Sequence, residues 1–165
     1  MTERILNGIE VLILALVLLS ALVLQIFFGE QPCPLCYLQR LFMLGVGGAI
    51  CLNLRAGIRK RHYGLAIIAA LLGSVISLRQ IALHACPDFS KFGEPFLGIS
   101  LYTWAFLVFG VSIAVNALMM VIFSREDEYR LSWFDHTVFA LIFLAAAVNV
   151  VMVFMQCGIG PCSDV

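Results

Sequence analysis

Cys33-Pro34-Leu35-Cys36 sets two thiols where an apolar run begins, and Arg40 follows four residues after Cys36. Pro34 suits the first turn of a helix, where its missing N–H removes no helical hydrogen bond. Cys33 then falls at or next to the N-cap, and Cys36 falls in the first turn. Unpaired N–H groups and the helix dipole favour a thiolate at that position. Arg40 lies one turn beyond Cys36 on the same face. A fixed cation in low dielectric favours the thiolate further. A cation inside an apolar span is a functional candidate by default. The chemistry this pattern suits is thiol–disulfide exchange. Two competing readings are a static disulfide, with Arg40 snorkelling to the surface, and a metal site. A single CxxC with no second ligand pair at standard spacing disfavours zinc.

The elements that position these residues are membrane helices. The chain is 62% hydrophobic and 12% charged, well above the apolar share of a soluble domain. Five apolar runs, about 9–28, 37–54, 63–83, 102–123 and 134–155, are long enough to cross roughly 30 Å of hydrocarbon. The gaps between them are short. The expectation is an all-α membrane protein folded as a single integral membrane domain over residues 1–165. The first run is expected to stay as a span: it is longer than a signal-peptide core and lacks a small-x-small cleavage site before Cys33. The net charge is zero, and no basic run suggests nucleic acid as a partner. The lipid bilayer is the expected surroundings.

Lys and Arg set the expected orientation. Arg4, Arg55, Arg59, Lys60, Arg61, Arg125 and Arg130 fall on one side; Arg40, Arg79 and Lys91 are all that the other side holds. The positive-inside rule puts the first group in the cytoplasm. The N-terminus is then cytoplasmic and the C-terminus outside. Cys33, Cys36, Cys86, Cys157 and Cys162 face outward, in the compartment where disulfides persist. Cys51 lies near the inner end of its helix and reads as a small core residue. The second outer loop, 84–100, holds Cys86 and reads as irregular or interfacial. His84 ends the third helix two residues before Cys86 and is a candidate to contact a bound ligand or tune that thiol. Arg79 is a candidate for the same ligand or for a lipid headgroup.

Pro32-Cys33-Pro34-Leu35-Cys36-Tyr37-Leu38-Gln39-Arg40 resembles the signature of the DsbB family of disulfide-generating quinone reductases. Phe96-Leu97-Gly98-Ile99-Ser100-Leu101 with Trp104, and Leu78-Arg79-Gln80, are weaker matches. The resemblance covers roughly residues 5–123. It implies a four-helix transmembrane bundle of DsbB type, to which this chain adds a fifth transmembrane helix. It implies a quinone cofactor (ubiquinone or menaquinone), a soluble periplasmic DsbA-like thiol oxidase as partner, and the bacterial inner membrane as location. By matching positions, Cys36 is the thiolate facing the quinone and Arg40 the residue that polarises the quinone and holds that thiolate. Cys33 exchanges with cysteines elsewhere on the outer surface.

Two departures from the family pattern bear on the shuttle. The second outer loop is short and holds one cysteine, Cys86, where the family usually has two. The fifth run ends in Cys157-Gly158-Ile159-Gly160-Pro161-Cys162. Either Cys157 and Cys162 form the shuttle disulfide, or Cys86 pairs with one of them; a structural bridge pinning the tail is the competing reading. Whichever two pair, one of the three is left over, which favours exchange over a static bond. A redox enzyme of the vitamin K epoxide reductase type is an alternative, although its CxxC sits at a later helix. A disulfide-stapled membrane scaffold without activity is another.

Overall fold

The structure is a computed structural model, and it describes residues 2–27, 29, 33–85, 96–122 and 132–158. Five helices account for nearly all of them: α1 (Thr2–Phe27), α2 (Pro34–Ala56), α3 (Lys60–His84), α4 (Leu101–Ile122) and α5 (Trp133–Cys157). Each is long and apolar enough to cross a membrane. Large side chains such as Val111, Val121 and Phe143 stand exposed on the outside of the bundle, as a hydrocarbon solvent requires. The chain is a helical multi-pass membrane protein.

The centre of the bundle is the α2–α3–α4 unit, and α1 and α5 pack beside α2. Val11, Leu14, Leu18, Val46, Ile50, Ala66, Ala70 and Phe109 fill the core. Gly73 lets α3 approach α4 closely, because a Cβ at that position would collide with the buried Phe109 ring. Close approach through small residues is the usual way membrane helices gain packing energy.

The helices run further than the apolar runs alone suggested. α1 begins at Thr2 rather than near residue 9. Its polar first turns are helical because they find partners in other helices. Arg4 forms an ion pair with Asp135 at the start of α5. The Asn7 side chain donates to the Tyr63 hydroxyl of α3 at 2.8 Å. Asp135 also accepts from the Ser132 backbone N–H at 2.6 Å, completing a capping box. At the same end, Asn53 accepts from the Arg59 backbone N–H and faces His62 Nδ1, each at 2.9 Å. One turn inward, Asn116 of α4 donates to Glu10 of α1 at 2.6 Å.

The segment before α4 is a tight turn. Phe96 and Ile99 exchange backbone hydrogen bonds at 3.0 and 3.1 Å. Leu97 and Gly98 between them both have positive φ, 54° and 77°. Gly98 takes that conformation freely, whereas Leu97 is strained there. The Trp104 indole N–H donates to the Phe96 carbonyl at 3.0 Å and ties the turn down.

Candidate functional site

Cys33 is the N-cap of α2 and Pro34 its first residue. The Cys33 carbonyl accepts from the Cys36 N–H at 2.9 Å, so the thiol side chain is not used for capping. The two sulfurs are 2.9 Å apart and unbonded. Two-electron oxidation, with a small side-chain rotation, would join them as a disulfide. The hydrogen bond shared with Cys36 raises the Cys33 thiol above the ordinary thiol range, and partial burial acts in the same direction. Cys33 therefore keeps its proton when the pair shares one.

Gln80 of α3 reaches across to both sulfurs. Its Nε2 lies 3.2 Å from Cys33 Sγ and 3.4 Å from Cys36 Sγ. Its Oε1 accepts from Gln39 Nε2 at 2.8 Å. Both glutamines are buried.

Arg40 sits one turn below Cys36. Its guanidinium donates to Gln25 Oε1 at 2.6 Å and to the Ala21 carbonyl at 3.2 Å, and lies 5.6 Å from the Tyr37 ring centroid. These partners are neutral, so they satisfy its N–H groups without cancelling its charge. Gln25 Nε2 donates to the Tyr37 hydroxyl at 3.0 Å, and that hydroxyl donates to Gln156 of α5. One hydrogen-bonded chain thus joins Arg40 to α1, back to α2, and on to the end of the fifth helix.

A cavity of about 530 Å³ opens beside these groups. Cys36, Gln39, Arg40, Gln80 and Gln25 supply its polar atoms; Val17, Leu18, Met43, Phe96, Leu101 and Val108 are among its apolar walls. Its size and composition are those of a small-molecule site, mostly apolar with a few convergent polar groups. Cys36 lines it and Cys33 does not.

The expected residues are placed as follows. Cys33, Cys36 and Arg40 come together. His84 lies one layer out: its Nδ1 is 2.7 Å from the Gln80 carbonyl, and its ring stacks on Tyr102, a cavity residue, at 4.9 Å. Arg79 is exposed and lines no part of the cavity. Cys157 is the last residue of α5, next to Gln156 and hence at the α2 start. Cys86 and Cys162 lie outside the described residues. Cys51 packs partly buried against the core. Gln80, Gln39 and Gln25 were not among the expected site residues, yet they sit at the centre of the site. Their signal was present: amides inside apolar spans, where an unsatisfied polar group is costly.

A helical membrane protein with a dithiol at a helix start, a cation one turn below and a cavity against one sulfur defines the class of membrane thiol redox proteins. The family model described as Disulfide bond formation protein DsbB matches residues 3–93, more than half of the chain. The chain belongs to the DsbB family. It is 42% identical over 71 residues to Disulfide bond formation protein B of Chromobacterium violaceum, covering 41% of this chain and 43% of that one. To the protein of the same name in Marinobacter nauticus it is 37% identical over 91 residues, 53% and 54% of the two chains. To that of a Polaromonas species it is 26% identical over 155 residues, 73% and 91%. The chain spans about half the length of the first of these relatives that it matches. No solved structure matches it.

Proposed function

We propose that this chain is a quinone-linked thiol–disulfide oxidoreductase of the bacterial inner membrane, which generates disulfides and reoxidises a soluble periplasmic thiol oxidase of the DsbA kind. The observation that carries this reading is the shared wall: Cys36 and the Arg40 guanidinium line one apolar cavity beside a second thiol. The residues fit a quinone. The walls are apolar, the polar edge holds a fixed cation, and α1 and α4 flank the opening while packing mainly on other helices. A bound quinone, ubiquinone or menaquinone, supplies a two-electron, two-proton acceptor.

The residues then take distinct roles. Cys36 presents its sulfur to the cavity. Arg40, on the cavity wall, would hold a quinone oxygen and favour negative charge beside it. Cys33, outside the cavity wall, is the sulfur reached by an incoming thiolate. That attack forms a mixed disulfide at Cys33 and breaks the Cys33–Cys36 bond, and the electron pair leaves on Cys36. The partner's second thiolate then attacks its own sulfur in the mixed disulfide and frees Cys33 as a thiol. Re-forming the Cys33–Cys36 bond would release two electrons and two protons, which a bound quinone would take up. Cys157 and Cys162, with Cys86, are proposed as the shuttle that takes electrons from the soluble partner. The seat of Gln156 on Tyr37 supports this, because it brings the end of α5 to the start of α2. His84 is proposed to act on the quinone side through Tyr102, and Arg79 as a headgroup contact. The basic residues at the opposite end support a cytoplasmic N-terminus and a periplasmic thiol end.

The test uses the full chain in lipid nanodiscs with added quinone and a reduced DsbA-like protein. Quinol formation is followed by absorbance. Cys33→Ser and Cys36→Ser are each expected to abolish it, and near-normal turnover in either sinks the proposal. Deleting residues 158–165 is expected to block oxidation of the protein partner while a small dithiol still drives quinol formation. If a single-cysteine partner is trapped on Cys33 and the deletion changes nothing, the tail has no shuttle role.

A further inference from the structure

We infer that Gln80 is a catalytic hydrogen-bond donor that serves both sulfurs of the pair, and that Gln39 is the positioning residue that aims it. The inference rests on the reading of Cys33 and Cys36 as a redox pair. The geometry leaves the Gln80 amide little choice of role. Its two N–H bonds face Cys33 Sγ and Cys36 Sγ at 3.2 and 3.4 Å. Its oxygen accepts from the Gln39 N–H at 2.8 Å, and Cys36 Sγ lies farther from it, at 4.0 Å. Gln80 is 1% exposed and Gln39 5%, so water does not compete for either amide. The Gln39 contact sets which end of the Gln80 amide points at the sulfurs, since an amide rotated by half a turn would set two oxygens or two N–H groups against each other.

Such a donor matters at one moment of exchange. An incoming thiolate bonds to Cys33 Sγ, the Cys33–Cys36 bond breaks, and the electron pair stays on Cys36 Sγ. The charge appears on an atom that Gln80 already faces, with no solvent to reorganise. Preplaced donors at a developing anion are a large source of rate in dry sites. Because the same NH₂ group faces both sulfurs, it also serves the step that frees Cys33, in which the partner's second thiolate attacks the partner sulfur of the mixed disulfide and the electron pair leaves on Cys33 Sγ. A helix dipole and Arg40 favour a thiolate near this site in general. Gln80 is the group that touches both reacting atoms.

A merely structural reading treats Gln80 as polar glue between α2 and α3. The test separates the two by using an isostere. Gln80→Glu keeps the volume and an acceptor for Gln39 but removes the NH₂ group. The reduced full-length protein is alkylated with iodoacetamide over a range of pH, and Cys36 is read by peptide mass spectrometry. The alkylation rate of Cys36 at about pH 5, well below the ordinary thiol range and on the rising limb of its profile, is expected to fall about tenfold, the worth of one hydrogen bond to a charged group. Its pH profile is expected to shift to higher pH. Gln39→Leu is expected to give a smaller shift of the same sign, about two- to threefold. Gln80→Met, similar in length, without a donor and without the charge that a glutamate would set beside Cys36, carries the same measurement and is expected to shift the profile in the same direction. A wild-type pH profile in a folded Gln80 variant overturns the inference, and so does a lowered melting temperature with the profile unmoved. The quinone reading fails separately: wild-type protein that shows these thiol effects yet never reduces quinone leaves the Gln80 role standing.

Discussion

The two ends of this bundle use buried polar side chains in opposite ways. At the end away from the thiols, Arg4 meets Asp135, Asn7 meets Tyr63, and Asn53 meets His62 and the Arg59 backbone. None of these residues lines the cavity. At the thiol end, Gln25, Gln39, Arg40 and Gln80 all face the cavity, and their partners include two free thiols. Both ends hold polar groups in a solvent that punishes them. One end uses its polar groups for bonds between helices and is a set of stitches. Among the described residues, the other leaves a charge without an acidic partner and two sulfurs within reach of each other, and is a site. What separates function from fastening here is whether the polar group's partner can change during a reaction.

Asp135→Ala gives the largest expected effect on that contrast. Removing one member of a buried ion pair costs about 3 kcal/mol or more, and the capping box of α5 goes with it. Thermal unfolding in detergent should move to clearly lower temperature, while turnover per folded molecule stays near wild type. A large loss of turnover in the folded fraction would break the division between the two ends.

Arg40→Ala comes next and should show the reverse pattern. A hydrogen bond from a charged donor is worth about 2 kcal/mol. The quinone KM is therefore expected to rise roughly thirtyfold with little change in melting temperature. Arg40→Lys should fall between, since the charge survives and the planar fork is lost. Unchanged quinone kinetics in folded Arg40→Ala would place Arg40 among the stitches.

The smallest effect sharpens the comparison. Tyr63→Phe removes the hydroxyl that accepts from Asn7. Interhelical hydrogen bonds of this kind are worth about 0.6 kcal/mol. A slight loss of stability with unaltered kinetics is the expected result, and kinetic change at this distance would count against it.

Much of this arrangement was legible in the sequence. Apolar length marked all five spans, because hydrocarbon thickness sets helix length. Pro34 marked the helix start, and the four-residue step put Arg40 under Cys36. The illegible parts depend on long-range partners. Gln80 meets residues 41 to 47 positions away, and no local rule selects them. In the segment Leu78-Arg79-Gln80 the charge of Arg79 drew the assignment. One residue is a 100° rotation on a helix, and it turns Gln80 inward and leaves Arg79 exposed. A span that is apolar on every side does not say which face is inner. The early start of α1 was hidden for the same reason, since its justification lies in α3 and α5.

The Arg4–Asp135 pair has a consequence for biogenesis. Its members are 131 residues apart, and translation delivers about 5–20 residues per second. Arg4 therefore waits on the order of ten seconds at the membrane surface before its countercharge exists. During that interval α1 can insert, meet α2 and pair Asn7 with Tyr63 of α3, while the Arg4–Asp135 contact is still to come. The fifth helix to leave the ribosome is the one that finishes the first.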